Sequence, residues 1–186
     1  MRIKYNAPTV LTFALLCAIV LLLTRTLLPN LTIRWFMVPG RGSFSAGSFR
    51  NWVTILTHII GHKDLSHLIG NFTLILIIGP MLEENYGSSL LLIMMVITAL
   101  VTGILNILFF RSALMGASGV VFMMILLSSF TNFTHGEIPL TFILVLILYM
   151  GVQLFNSFNS DNISQFAHIV GGLCGSFFGF LRPPKG

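Results

Sequence analysis

Residues 90–110 read LLLIMMVITALVTGILNILFF, a run without a charged side chain. An α-helix needs about 20 mostly apolar residues to cross the hydrocarbon core of a bilayer, and this run supplies them. Its neighbours repeat the character: Pro8 to Leu28, His67 to Leu82, Met115 to Phe130, Ile138 to Phe155 and Ile163 to Leu181 are each predominantly apolar. The sequence therefore predicts an all-α membrane protein, a bundle of six transmembrane helices forming one domain over residues 1–186. The connections after the second to fifth runs are short. Pro29 to Ser66, by contrast, forms a long first loop carrying Trp35, Phe36, Phe44, Phe49 and Trp52, an aromatic load that puts it at the interface, partly embedded in the membrane.

Composition agrees. The chain is 55% hydrophobic and 8% charged, with a mean hydropathy of +0.94, whereas a soluble domain carries about 25% charged residues. The net charge of +5 comes from basic residues scattered over loops, span ends and termini. No dense basic run exists, so no nucleic-acid partner is expected. Cys17 and Cys174 fall inside apolar runs, where they read as small hydrophobes rather than a disulfide pair. No A-x-A cleavage site follows the first run, which is read as a retained span rather than a signal peptide. Cations at the termini balance those of the first loop (Arg34, Arg41, Arg50, Lys63), so charge bias sets no orientation.

Polar side chains inside spans mark function by default, and four stand out: His67, Asn71, Ser118 and His168. His67 and Asn71 are four residues apart and share a helix face. Ser118 begins the fourth run and His168 lies near the start of the sixth. Alternate spans enter the membrane from the same side, so the starts of the second, fourth and sixth can meet at one depth. The fourth run is continuously apolar only over Val120 to Leu127, so its helix is expected to begin below the surface, where non-helical backbone is tolerated only against protein or a water-filled cavity.

Met115-Gly116-Ala117-Ser118-Gly119 reads as a flexible turn opening into a helix, whose first N–H groups have no intrahelical partner and can hold an oxyanion. Gly171, Gly175 and Gly179 line one stripe of the sixth run, against which the fourth can approach closely. That approach turns His168 towards Ser118. A lone intramembrane serine ordinarily bonds its own backbone, and a lone histidine is ordinarily structural; together an imidazole and a hydroxyl make a nucleophile. His58, His62 and His67 could also supply metal ligands, but no H-E-x-x-H motif and no nearby cysteine accompany them. Neither a metal nor a cofactor is expected. Val120 replaces the last glycine of G-x-S-x-G, which excludes the α/β-hydrolase elbow, and no aspartate in the apolar part of a span completes a triad.

Three motifs together resemble the rhomboid family of intramembrane proteases. Gly116-Ala117-Ser118-Gly119 matches its G-x-S-G, the segment from His67 to Asn71 its H-x-x-x-N, and the segment from Ala167 to Gly175 its A-H-x-x-G-x-x-x-G. The likeness runs from about Trp52 to Leu181. It implies a rhomboid-like bundle in which Ser118 is the nucleophile and His168 the base, with the His67 and Asn71 side chains and the Ser118 N–H as oxyanion hole. Phe122 falls where the family packs an aromatic on the imidazole, and His62, Glu83 and Gly87 match other recurrent positions. The first loop departs from the family's Trp-Arg pair, having Val53-Thr54.

The resemblance further implies partners: single-pass transmembrane substrates, entering by the fifth span in a protein of a bacterial or archaeal cell membrane, in contact with membrane lipids. Water would reach the dyad beneath a roof formed by Asn156 to Ser164. No motif speaks to oligomeric state. Two rivals are a catalytically inactive rhomboid-like protein that binds transmembrane clients, and a small transporter, for which inverted repeats or Pro-broken central helices would be expected.

Overall fold

The computed structural model describes residues 3–131, 137–150 and 162–181. Eight α-helices lie among them: α1 (Pro8–Thr26), α2 (Leu31–Trp35), α3 (Phe49–Thr57), α4 (Leu65–Tyr86), α5 (Ser88–Phe109), α6 (Ser118–Ser128), α7 (Leu140–Val145) and α8 (Asn162–Leu181). A π-helical turn, Leu146–Met150, continues α7. The far part of the expected fifth span and residues 156–161 of the expected roof lie outside the described residues.

Three helices, α1, α4 and α5, are long and apolar enough to cross a membrane. The expected six spans are thereby corrected to three among the described residues. The error has a physical origin: an apolar run was equated with a lipid-facing span. α6 has 11 residues and so rises about 16 Å, roughly half the hydrocarbon thickness. All of Gly119 to Leu127 is buried. Its apolar side chains therefore serve the protein core, which demands the same residue types as lipid does.

The three long helices are apolar on both faces. On α5, Leu91, Met94, Met95, Thr98, Ala99 and Thr102 are buried at helical spacing, while Leu92, Ile93, Val96, Ile104 and Leu108 point outward and are exposed. A helix that presents apolar side chains to the outside is solvated by lipid. This is an integral, multi-pass membrane protein.

Loop 1 is inverted relative to a soluble surface. α3 buries Asn51, Thr54 and Ile55 and exposes Phe49, Trp52 and Leu56, as a helix lying against the apolar zone should. An isolated antiparallel bridge joins Val38 to Leu114 through two hydrogen bonds of 3.0 Å. His58 ends α3 fully buried. Its Nδ1 lies 2.9 Å from the Ile55 carbonyl, its Nε2 3.3 Å from Thr102 Oγ1 on α5, and its carbonyl accepts the Gly116 N–H at 2.9 Å.

α1 has no side-chain cap of its own, since Ala7 precedes it, yet a helix start leaves N–H groups that lipid cannot satisfy. Glu83, near the end of α4, supplies the acceptor. Its carboxylate receives the Thr9 N–H at 2.9 Å, the Val10 N–H at 3.0 Å and the Ser88 hydroxyl at 2.6 Å. Glu83 is buried, whereas Glu84 is exposed. Asp64 does the same for α4 from within, its Oδ1 accepting the His67 N–H at 2.8 Å.

Two predictions follow from these anchors. Glu83→Ala leaves the buried Val10 N–H and the part-buried Thr9 N–H without an acceptor and should lower unfolding stability by about 2–4 kcal/mol, read as a reduced thermal midpoint in detergent; an unchanged midpoint would show that α1 does not need this cap. Burial pushes the His58 imidazole from 6.5 down to about 4. Between those values the unfolded chain binds a proton that the folded chain refuses, so the His58 contribution is complete above pH 6.5 and is lost as pH falls towards 4. Thermal melts over that window should decline less steeply for His58→Gln than for the parent, by at most about 1.4 kcal/mol per pH unit; parallel profiles would contradict a buried neutral imidazole.

Candidate active site

Ser118 is the first residue of α6, half-buried, after a turn that ends at Ala117. The turn owes its shape to Gly116, whose φ of +121° is one that L side chains rarely adopt. The space is also taken: a Cβ there would lie 2.7 Å from His67 Cε1 and 2.9 Å from His67 Nε2. The His67 ring thus rests on the turn that delivers Ser118. The His58 carbonyl holds the same turn from the loop 1 side through the Gly116 N–H.

α6 and α8 run side by side in the same direction. A Cβ on Gly171 would collide with the Gly119 carbonyl, one on Gly175 with the Met123 carbonyl, and one on Gly179 with the Phe130 ring. His168 precedes Gly171 by three residues and therefore sits one turn before that contact, at the end of α6 where Ser118 begins. Its imidazole stacks on Phe122, centroids 4.2 Å apart and planes within 6°. Phe122 in turn lies one helical turn beyond Ser118. Ser118 and His168 consequently occupy neighbouring turns of two helices whose backbones touch.

Asn71 is buried on α4. Its Nδ2 lies 3.1 Å from His62 Nε2, and His62 Nδ1 lies 3.1 Å from the Ile60 carbonyl. Burial, aided by the nearby His67, pushes the His62 imidazole down to about 4, so the ring is neutral near pH 7. With its Nδ1–H given to the carbonyl, Nε2 is an acceptor, and the Asn71 amide donates to it. That bond uses one of the two amide hydrogens and fixes which way the amide points. The His62 and His67 rings meet edge to face at 5.1 Å.

Of the residues singled out in the sequence, His67, Gly116 and Ser118 converge on the turn before α6. Gly119, Phe122 and His168 converge on the α6–α8 contact, and Asn71 joins through His62. Glu83 and Gly87 belong elsewhere, at the junction of α4 with α1 and α5. Among the described residues no group of histidines gathers as a metal centre; His58 and His62 each turn Nδ1 to a backbone carbonyl, and His62 Nε2 faces Asn71. Two roles went unread in the sequence. His58 is the anchor of the serine turn, and His62 is the acceptor that orients Asn71. The five-residue step from His62 to His67 was the available signal for the second; nothing local signalled the first.

The Rhomboid domain family matches this chain over residues 50–185. The chain is 25% identical over 129 residues to the protein described as Rhomboid protease GlpG from Haemophilus influenzae, covering 68% of this chain and 67% of that one. It is 32% identical over 132 residues to RHOMBOID-like protein 4 of Arabidopsis thaliana, covering 67% of this chain and 33% of that protein. The matched region takes in all but the first residue of α3 together with α4, the serine turn, α6 and α8, that is, every element that carries the site described above. With a family match over most of its length, a multi-pass membrane architecture and the three motifs gathered at one end of α6, the chain belongs to the rhomboid family.

Proposed function

We propose that this protein is an intramembrane serine endopeptidase that cleaves single-pass membrane proteins within their transmembrane segments, acting from one membrane-embedded domain. What supports the reading is a half-buried serine at the start of α6 and, on the helix packed against it, a histidine one turn from a glycine contact whose imidazole stacks on Phe122, one turn beyond that serine. Stacking limits the rotation of the ring, and a fixed base is what an unactivated hydroxyl needs.

In this mechanism His168 takes the Ser118 hydroxyl proton as the oxygen bonds to the scissile carbonyl carbon. The resulting oxyanion is stabilised by the Ser118 N–H, the His67 imidazole and the second hydrogen of the Asn71 amide. His168 then gives its proton to the departing amine as the C–N bond breaks. Water attacks the acyl-serine, His168 removes the water proton, and its return to Ser118 oxygen releases the new carboxyl terminus. No step calls for a cofactor or metal.

Ser118→Ala should abolish both proteolysis of a transmembrane substrate and fluorophosphonate labelling in detergent while leaving the melting midpoint nearly unchanged. His168→Ala should suppress the labelling as well, because the hydroxyl alone is a poor nucleophile. Cleavage by Ser118→Ala at the parent rate would overturn the proposal, and a folded parent that neither labels nor cleaves would favour a client-binding homologue.

Asn71→Ala removes one of three donors. Loss of a donor costs about 10²- to 10³-fold in kcat where the hole has few, so the effect here should be smaller than that of Ser118→Ala, with KM nearly constant since the charge develops only in the transition state. His67→Ala should behave alike. A large rise in KM at constant kcat would make Asn71 a substrate-binding or packing residue.

A further inference from the structure

Two cavities meet at Arg25. One is a groove of about 590 Å³ between the last turns of α1 and the first turn of α4, walled by Ala18, Leu21, Leu22, Leu65 and Leu68 and lined also by Arg25, Asp64 and Ser66. The other, of about 430 Å³, is lined by Arg25, Thr32 and Lys63 together with His62 and Met115. Arg25 Nη2 donates to the Lys63 carbonyl at 2.9 Å. This bond holds the guanidinium at the junction and uses one of its five N–H groups.

We propose that this junction binds an anionic phospholipid of the surrounding bilayer, with the phosphate on Arg25 and Lys63 and an acyl chain in the groove between α1 and α4. Three observations carry it. First, both walls of the groove belong to helices long and apolar enough to span the membrane, so what fills it comes from hydrocarbon rather than water. Second, the polarity runs in the order of a phospholipid: the cations stand at the C-terminal end of α1 and the leucines follow towards its middle. Third, the charge is complementary. Arg25 and Lys63 face one carboxylate, Asp64, whose Oδ1 is already committed to the His67 N–H, and a guanidinium fork suits phosphate oxygens. The second cavity shares His62 with the Asn71 bond, so the headgroup would lie beside the candidate site.

The proposal stands apart from the proteolytic reading and is tested by binding alone. The full chain in detergent is titrated with phosphatidylglycerol or with phosphatidylcholine of the same acyl length, and retained lipid is read by native mass spectrometry. The parent should retain phosphatidylglycerol in preference to phosphatidylcholine. Each cation near an anionic lipid surface accounts for about a fivefold change in affinity, so Arg25→Gln with Lys63→Gln should weaken phosphatidylglycerol roughly 30-fold, while Arg25→Lys, which keeps the charge and loses the fork, should weaken it less. Ala18→Phe, which fills the groove and leaves the cations, should also weaken it. Equal retention by the double variant, equal binding of phosphatidylcholine, insensitivity to Ala18→Phe, or displacement by millimolar inorganic phosphate would each overturn it, the last by making the site one for a free anion.

Discussion

The contact between the backbones of α6 and α8 is what the arrangement of the site depends on. Where both partners lie in an apolar medium, no hydrophobic driving force brings two helices together; association relies on close van der Waals packing, which small residues permit. Gly171 and Gly175 let α8 approach until the carbonyls of Gly119 and Met123 occupy the space that side chains would fill. With the axes that close, the side chains a turn away have little freedom. Phe122 and His168 are driven into a parallel stack, and Ser118 begins its helix one turn from it.

A second constraint is the accounting of backbone polar groups, which lipid does not forgive. α1 starts without a cap and is satisfied by Glu83 from the end of α4. α4 is capped by Asp64, the residue immediately before it. Loop 1 reaches inward to supply the rest: the Val38 bridge holds Leu114, and the His58 carbonyl holds Gly116. The turn that presents Ser118 is therefore clamped by a segment far from it in sequence, and the inverted polarity of α3 is the same fact seen from outside. Its polar residues face inward because partners are there, and its aromatics face outward because water is not.

Short α6 shows why counting apolar runs overestimates spans. Burial on every side by protein and immersion in lipid both select Val, Met, Ile and Leu, so an 11-residue core helix and a membrane-crossing helix look alike until length is weighed. The sequence does contain the warning, since only Val120 to Leu127 is continuously apolar there. Ser118 opens this short central helix and is half-buried, as is His168 on α8.

What the sequence by itself determined was the class of molecule, the family and the residues worth examining. Long uncharged runs require apolar surroundings, in lipid or in the protein core, and three motifs of mixed Gly, Ser, His and Asn are in combination specific to one family. The starts of α4, α5 and α6 lie within three residues of where the apolar runs begin, because propensity and capping act locally. What only the tertiary structure decided were the partners across the chain: the carboxylate of Glu83 on the start of α1, the His62 ring on Asn71, the His58 carbonyl under Gly116, and the number of helices that face lipid. Each of these depends on which surfaces end up within hydrogen-bonding or van der Waals distance. Sequence periodicity states which face of a helix is apolar, but the identity of the group opposite that face is set by packing.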